Sequence, residues 1–469
     1  MLGLLGIRDT SSPITEVKLE KAPPAGLFEK AWSYVAVLGK IPDALLNTAR
    51  ITRTVIANKA DLLEPFKHSM RRSETLYPFT TVDGTTNYIV AHPKVAAAVL
   101  AFFRHDPNGM MIDTENTHAF APVLRALFCD EGTPEEELTE SFIFTATPIH
   151  AKQYHSLIVS YITNAKDERD SLIFDLIEET LPTWAREASI DGRKASRNFA
   201  MKVILGLFFN RRDIETDRLQ EALDCIVHRM TNNILRSPPS PAEMAAYQEA
   251  LALMRTTIEL IVAEEDSLSI LAELADGTPL QKKSLAFILL FAGVDTTATL
   301  INYLLWKLGT DEALQNPERT KEIIQEGLRL HSPGPLVGRY PREPLIVQMK
   351  HEDGTMTKQT IHPGEGLVVV PKLAALNPRL FHDPTLFNPS RYTSHPEEAR
   401  AFSGLTLFGG GPHLCPGRQL ALYEVEQLFL RLATDYRIKT NGPDELTSGS
   451  LIIRKGASAN VTITRKSPA

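Results

Sequence analysis

Cys415 lies in a loop whose residue types favour metal binding. Three glycines at 409–411 precede it, and Pro416 and Gly417 follow it directly. The run 418–430 then has the apolar spacing of a buried amphipathic helix. Backbone N–H groups at a helix N-terminus favour a thiolate, and glycines let the backbone approach something flat or bulky. The pattern predicts a thiolate metal ligand; the alternative is an ordinary loop with a buried free cysteine.

A second group of polar residues lies in the middle of a long apolar segment. Thr278 suits a helix cap and Pro279 a first turn, and apolar residues flank the run Ala-Gly-Val-Asp-Thr-Thr at 292–297. About 30 helical residues would extend roughly 45 Å, enough to cross a domain core. Asp295 and Thr296 are costly to bury there unless they are bonded or functional. A Thr hydroxyl can also bond back to a carbonyl and open the helix, so the alternative is a kink with locally satisfied hydroxyls.

The cysteine loop resembles the haem-binding signature of the cytochrome P450 family. Phe408, Gly411, Cys415 and Gly417 match its pattern Phe-x-x-Gly-x-x-x-Cys-x-Gly. In that family the cysteine thiolate is the axial ligand of the haem iron. The resemblance implies that these residues bind haem b and that His413, where many members have Arg, bonds a haem propionate.

The run in the apolar segment resembles a second motif of the same family. Residues 292–297 match its Ala-Gly-x-Asp-Thr-Thr oxygen-activation motif. The resemblance implies that Asp295 and Thr296 deliver the protons that oxygen activation requires.

A set of charged residues resembles a third family motif. Glu326 and Arg329 are three residues apart, so they share a helix face and can pair, although such pairs are common on exposed helices. Their position before Leu-x-x-Pro and upstream of the cysteine loop resembles the family's Glu-x-x-Arg. Arg391 lies in an element that resembles Pro-x-Arg-Phe, with Tyr392 in place of Phe. The resemblance implies a buried network that locks the haem loop, in which the loss of one member is strongly destabilising.

Further residues are assigned to the haem propionates by the same resemblance. Arg339 matches the family's position, and a guanidinium suits a carboxylate because it can bond it in bidentate fashion. Arg342 is a nearby rival. At the start of the helix that opens at Pro148, His150 is the better candidate and His155 the weaker one, although the family's usual Trp or Arg partners are absent. A surface histidine is the alternative for either.

The elements that must position these residues are mostly helical. Helices are predicted at Ser171–Glu187, Asn198–Phe209, Asp217–Asn233 and Pro241–Glu264 and over most of 27–67, a hairpin at Thr80–Val90, and short strands near 345–347, 366–370, 436–440 and 460–464. Residues 105–140 look irregular. The resemblance implies a mainly α protein with a small β-rich region, the cytochrome P450 fold. We expect an N-terminal segment at 1–26 and a single catalytic domain at 27–469.

The composition is that of a globular protein. Of its 469 residues, 43% are hydrophobic and 23% charged, and the net charge of -7 argues against a nucleic-acid partner. Three cysteines without a Cys-x-x-Cys pair predict a reducing environment. No run of 18 or more apolar residues predicts a membrane span. Residues 1–26 could be the remnant beside a removed membrane anchor, which would allow membrane association.

The resemblance implies a haem-thiolate monooxygenase. It would insert one oxygen atom of O2 into a lipophilic small molecule, such as a steroid, terpenoid, alkaloid or other secondary metabolite. The electrons would come from NAD(P)H through NADPH-cytochrome P450 reductase or a ferredoxin. The expected location is the cytosolic face of the endoplasmic reticulum membrane, with the cytoplasm as the alternative.

Other functions remain open. The runner-up is a haem-thiolate isomerase, dehydratase or peroxygenase that acts on a peroxide without a redox partner; such relatives usually lose the acid–Thr pair, which Asp295 and Thr296 retain. A non-catalytic haem-binding protein is a further alternative, and the combined motifs disfavour a haem-free helical scaffold.

Overall fold

Helices form most of the described chain. The structure is a computed structural model that describes residues 14–21, 76–80, 86–102, 121–129, 133–143, 146, 148–234, 239–264, 266–274, 276–334, 336–341, 343–440 and 458–467. The helices are α1 (Pro93–Phe102), α2 (Ala121–Phe128), α3 (Glu135–Ser141), α4 (Pro148–Asn164), α5 (Lys166–Arg186), α6 (Gly192–Phe209), α7 (Thr216–Ile234), α8 (Pro241–Ala263), α9 (Pro279–Thr310), α10 (Thr320–Leu330), α11 (Pro371–Ala375), α12 (Arg391–Ser394), α13 (Pro396–Ser403) and α14 (Arg418–Asp435).

The strands are short and form small sheets. They are β1 (Ile14–Lys21), β2 (Leu76–Thr80), β3 (Thr86–Val90), β4 (Ile190–Asp191), β5 (Val337–Arg339), β6 (Leu345–His351), β7 (Met356–Ile361), β8 (Gly366–Val369), β9 (Tyr436–Thr440) and β10 (Asn460–Arg465). The sheets have the strand orders β1-β6-β7, β4-β10-β9 and β2-β3-β8-β5. The predicted fold class, mainly α with a small β-rich region, is confirmed.

The chain divides into two compact units. The first unit comprises Met1–Asp113, Leu336–Leu386 and His395–Gly411, and the second comprises Thr114–Pro335, Phe387–Ser394 and Pro412–Ala469. The predicted division into a segment at 1–26 and a domain at 27–469 stays a prediction.

The first unit holds most of the β structure. Its four-stranded sheet is antiparallel except for the parallel pair β3–β8, and its three-stranded sheet is antiparallel. Burial alternates along β6, so Leu345, Val347 and Met349 face a core to which α1 contributes Val95 and Val99. This period of two is what a sheet with one covered face requires.

The second unit is built around α9, which has 32 residues. Its start is fixed by a capping box, because Thr278 accepts from the N–H of Gln281 and the Gln281 side chain accepts from the N–H of Thr278. α9 packs along α6 so closely that a Cβ at Gly293 would lie 2.6 Å from Cδ1 of Ile204. The predicted cap and long helix are therefore confirmed.

Helix α9 also has the length and apolar composition of a membrane-crossing helix. Its most apolar 18-residue window has a mean hydropathy of 1.8, but 83% of that window is buried inside the protein. Such burial is typical of the core helix of a globular unit.

Two sequence expectations need correction or lie outside the described residues. The region 105–140 is not irregular throughout, because α2 and most of α3 lie in it. The antiparallel pair β2–β3 confirms a hairpin, but its first strand begins at Leu76 and ends at Thr80, where the prediction had placed its start. Residues 81–85 and the predicted helical run at 27–67 lie outside the described residues.

Candidate functional site

The cysteine loop leads directly into α14. Gly417 is the residue before the helix, and the N–H of Ala421 donates to its carbonyl at 2.9 Å. The N–H groups of Gly417 and Arg418 bond the Cys415 sulfur and lower its pKa, but burial acts more strongly and raises it. The N–H groups at the helix start thus lower the pKa of the thiol as predicted, but its removal from water raises that pKa more. A metal ion that binds the sulfur must therefore displace the thiol proton.

The glycines before the cysteine have a backbone conformation that other residues rarely adopt. Gly409 has φ +75° and Gly411 has φ +68°. A side chain at either position would be strained, since the left-handed region disfavours a Cβ. Gly411 begins a short 3-10 turn that ends at His413, and Phe408 lies at the start of the loop.

In the first unit, Arg339 is a buried cation without a described anionic partner. It is fully buried, and its Nη1 and Nη2 atoms donate to the carbonyls of Gly338 at 2.7 Å and Gly410 at 2.9 Å. Its Nε has no hydrogen-bond partner among the described residues. Burial lowers the pKa of Arg339 to about 10. A guanidinium in this state is suited to an anionic ligand such as a propionate. Its rival Arg342 lies outside the described residues.

The two candidate histidines of α4 have different surroundings. His150 Nδ1 lies 2.5 Å from Oε2 of Glu140, and 43% of the His150 side chain is exposed. His155 bonds the backbone of Leu414, next to the cysteine, and burial lowers its pKa. Its Nε2 is buried without a partner among the described residues. The geometry therefore favours His155 over His150, the reverse of the order expected from the sequence.

Thr296 lies on the accessible face of α9. Between 284 and 306 only Ala292, Gly293 and Thr296 are partly exposed, and their spacing places them on one side of the helix. The Thr296 Oγ1 donates to the carbonyl of Ala292 at 2.7 Å. The predicted hydrogen bond from a Thr hydroxyl to a backbone carbonyl is therefore present, and α9 continues through this point without a break.

Asp295 is buried in an ion-pair cluster with α6 and α7. Its Oδ1 accepts from Nε of Arg197 at 2.7 Å, and Arg197 also pairs with Asp224 at 2.5 Å. Arg193 reaches Asp224 at 3.1 Å. Burial raises the pKa of Asp295, and the charges of Arg197 and Arg193 oppose that rise. Sequence reasoning missed Arg197, and no local signal could have found a partner 98 residues away.

The structure brings Glu326, Arg329 and Arg391 together. Arg329 donates from Nη2 to Oε1 of Glu326 at 2.7 Å and from Nε to Oε2 at 2.9 Å, and Arg391 Nε donates to Oε1 at 3.0 Å. The Tyr392 hydroxyl adds a bond to Oε2 at 2.8 Å, and the N–H of Asn388 adds one to Oε1 at 2.9 Å. Both oxygens of a fully buried carboxylate are therefore satisfied, as burial of a charge requires.

A metal site made of several protein ligands is not found in the described part of the chain. No group of three or more His, Cys, Asp or Glu residues there is arranged to hold a metal ion. A single protein thiolate is suited to a metal whose other ligands belong to a cofactor.

Comparisons with known proteins point to one family. The family model described as Cytochrome P450 matches residues 310–457. Cytochrome P450 4V2 of Rattus norvegicus is 25% identical over 251 residues, which cover 49% of this chain and 47% of that protein. Cytochrome P450 monooxygenase orf5 of Eupenicillium brefeldianum is 31% identical over 173 residues, or 32% of this chain and 34% of that protein. The chain thus matches about half or less of the length of these relatives.

A solved structure resembles most of the chain in its fold. Retinoic acid-bound cyanobacterial CYP120A1 matches with a TM-score of 0.66 and 17% identity, covering 88% of this chain and 96% of that one. At this identity the likeness concerns the fold.

Proposed function

Because this chain belongs to the cytochrome P450 family, we propose that it is a haem-thiolate monooxygenase. It would insert one oxygen atom of dioxygen into a lipophilic small molecule. The observation that carries this proposal is the Cys415 thiol, which is partly buried just before α14 and has the N–H groups of Gly417 and Arg418 at its sulfur. Haem b, when bound, supplies the iron at which dioxygen is activated.

Several residues of the chain suit the binding of haem b. In the second unit, Cys415 would be the iron ligand, and the unpartnered Nε2 of His155 could bond a propionate. In the first unit, the buried guanidinium of Arg339 is likewise suited to a carboxylate. Phe408, Gly411, His413 and Gly417 stay proposed as parts of the haem loop, and His150 as the weaker propionate partner.

Thr296 and Asp295 are proposed to handle protons. The Thr296 hydroxyl lies on the accessible face of α9 and can hold and release a proton at Oγ1. Asp295 forms an ion pair with Arg197 of α6, so its carboxylate must change partner before it can exchange a proton with Thr296. This supports a role for Arg197 in controlling Asp295.

The Glu326 network would position the cysteine loop without contacting the reacting atoms. α10 carries Glu326 and Arg329 and packs on α14, the helix that follows Cys415. The packing supports the proposed lock, since the network fixes α10 and α10 in turn supports α14.

The substrate, electron donor and location are proposed in general terms. A lipophilic substrate, such as a steroid, terpenoid, alkaloid or other secondary metabolite, is supported by the lipophilic retinoic acid bound to the structural neighbour. NADPH-cytochrome P450 reductase or a ferredoxin would supply the electrons. The similarity to Cytochrome P450 4V2 and other animal cytochromes supports a eukaryotic type at the cytosolic face of the endoplasmic reticulum.

The reduced, carbon-monoxide-bound absorption spectrum tests the proposal. We expect a thiolate-type Soret band in the wild type and in Cys225→Ala, and its loss in Cys415→Ala. Folded, haem-supplied wild type without this band would refute the proposal. Turnover that needs NADPH and a reductase, rather than a hydroperoxide alone, would separate a monooxygenase from a peroxide-dependent isomerase, dehydratase or peroxygenase.

A further inference from the structure

Asn302 is a buried amide on α9 that none of the sequence motifs includes. Only 3% of its surface is exposed, and its Oδ1 accepts a hydrogen bond from the N–H of Ala459 at 3.0 Å. Ala459 is fully buried and lies directly before β10. Its carbonyl accepts a second hydrogen bond, at 2.8 Å, from the N–H of Gly192, the first residue of α6. Both backbone polar groups of one buried residue therefore join α9 to the start of α6.

The helices are tightly fitted around Ala459. A Cβ at Gly192 would lie 2.6 Å from the Ala459 carbonyl oxygen and 2.9 Å from Oδ1 of Asn302. The neighbouring Ser458 adds a further contact, because its hydroxyl donates to Asp191, the residue that caps α6. A buried N–H group that loses its acceptor is costly. The position of the α6 start on α9 therefore depends on the Asn302 side chain.

The same two helices carry the ion pair of Asp295. Arg197 lies less than two turns after Gly192 on α6, and Asp295 lies about two turns before Asn302 on α9, so the helices run antiparallel. Beyond the ion pair, α9 packs closely on α6 at Gly293. The ion pair thus lies between two points at which the helices are held together, and the Asn302 contact is one of them.

We propose that Asn302 is a positioning residue for the reaction: by holding Ala459 against the start of α6, it keeps the Arg197 guanidinium on the Asp295 carboxylate. The inference rests on the proposed monooxygenase function, in which Asp295 handles protons. Asn302 acts through Arg197 and makes no contact with the reacting atoms. Without the Asn302 acceptor the start of α6 moves away from α9, and Asp295 loses the partner that controls it.

Asn302→Leu tests the proposal, because leucine has a similar volume and no acceptor. We expect the variant to retain the carbon monoxide band and the spin-state shift with a lipophilic compound. With NADPH and a reductase, product formation should fall about tenfold. Infrared spectroscopy should show a stronger carbonyl band of neutral Asp295, identified by its loss in Asp295→Asn, because burial favours the neutral acid once Arg197 is displaced. Ser284→Ala is the matched control: Ser284 is also buried on α9, its hydroxyl bonds no described residue, and both readouts should stay at wild-type values.

The Arg197→Met background separates positioning from a general loosening of the fold. If Asn302 acts through Arg197, adding Asn302→Leu to Arg197→Met should neither lower product formation further nor change the Asp295 band. A residue that only stabilises the fold would instead add its own loss to that of Arg197→Met.

Wild-type product formation and an unchanged Asp295 band in Asn302→Leu would overturn the inference, as would an additional loss in the double variant. If Asn302→Leu fails to hold haem, Gly192→Ala carries the test, since its Cβ displaces the same Ala459 carbonyl from the side of α6; wild-type values there overturn the inference. A wild type without the thiolate band would instead overturn the proposed function itself.

Discussion

Removal of the Tyr392 hydroxyl should weaken the buried Glu326 network by a measurable and limited amount. The hydroxyl donates to Oε2 of Glu326 at 2.8 Å, and burial and the Glu326 charge both raise the pKa of Tyr392. A hydrogen bond to a charged group contributes about 1.5–3 kcal/mol. Since Oε2 keeps its bond from Arg329 Nε, it is not left unsatisfied. We therefore expect Tyr392→Phe to lower the free energy of unfolding by an amount in the lower half of that range.

Urea unfolding of the haem-loaded protein measures this change. Tyr247→Phe is the matched control, because Tyr247 is buried and its hydroxyl bonds no described residue; we expect a change within about 0.5 kcal/mol. Glu326→Ala should cost more, about 3–5 kcal/mol, since it leaves two buried guanidinium groups without their carboxylate. A Tyr392→Phe variant as stable as the wild type would refute the reasoning that the Tyr392 hydroxyl stabilises the carboxylate.

Three further perturbations have defined outcomes. Arg197→Met should lower the free energy of unfolding by about 3–5 kcal/mol because it removes the ion pair of the buried Asp295 with Arg197. Arg193→Met should cost far less, because Arg193 pairs directly with the partly exposed Asp224 and affects Asp295 only through its charge; equal losses in urea unfolding would contradict this. Gly411→Ala should lower the free energy of unfolding by about 1–2 kcal/mol and reduce haem retention, because the backbone there has φ +68°. Gly417→Ala, at φ −82°, should retain more haem when the carbon-monoxide-bound spectra of the two variants are compared. Because the pKa of Glu424 is raised from 4.5 to about 8, unfolding releases its proton between these values, so this residue should lower stability as the pH rises from about 4.5 to about 8; a Glu424→Gln protein with the same pH dependence as the wild type would show that the acid is not neutral when folded.

Most features predicted correctly from sequence are those fixed by short spacing; Arg391, 65 residues from Glu326, was predicted only through the family resemblance. The Thr278 cap and its Gln281 partner lie three residues apart, as do Glu326 and Arg329, and the helix after Cys415 begins within three residues of it. Local geometry determines such contacts, so residue order alone reveals them.

The features that were missed depend on tertiary packing. Arg197 reaches Asp295 only because α6 lies along α9, and His155 replaces His150 as the better-placed histidine because of its contact with Leu414. The region 105–140 was predicted as irregular, but α3 forms in it, with Leu138 in the helix and Phe142 directly after it both buried. Burial of these two side chains outweighed the weak helix signal of so short a segment.

The pairing of β1 with β6 determines how long β1 remains without its partner strand while the chain is synthesised. Ile14 pairs with His351, so β1 emerges from the ribosome 351 − 14 = 337 residues before its partner. At about 5–20 residues per second, the strand waits roughly 20–70 s with unpaired backbone groups. An unpaired strand is a template for association with other chains. Slower elongation or a truncated message should therefore raise aggregation of the nascent protein, and a chaperone that covers β1 during this interval should lower it.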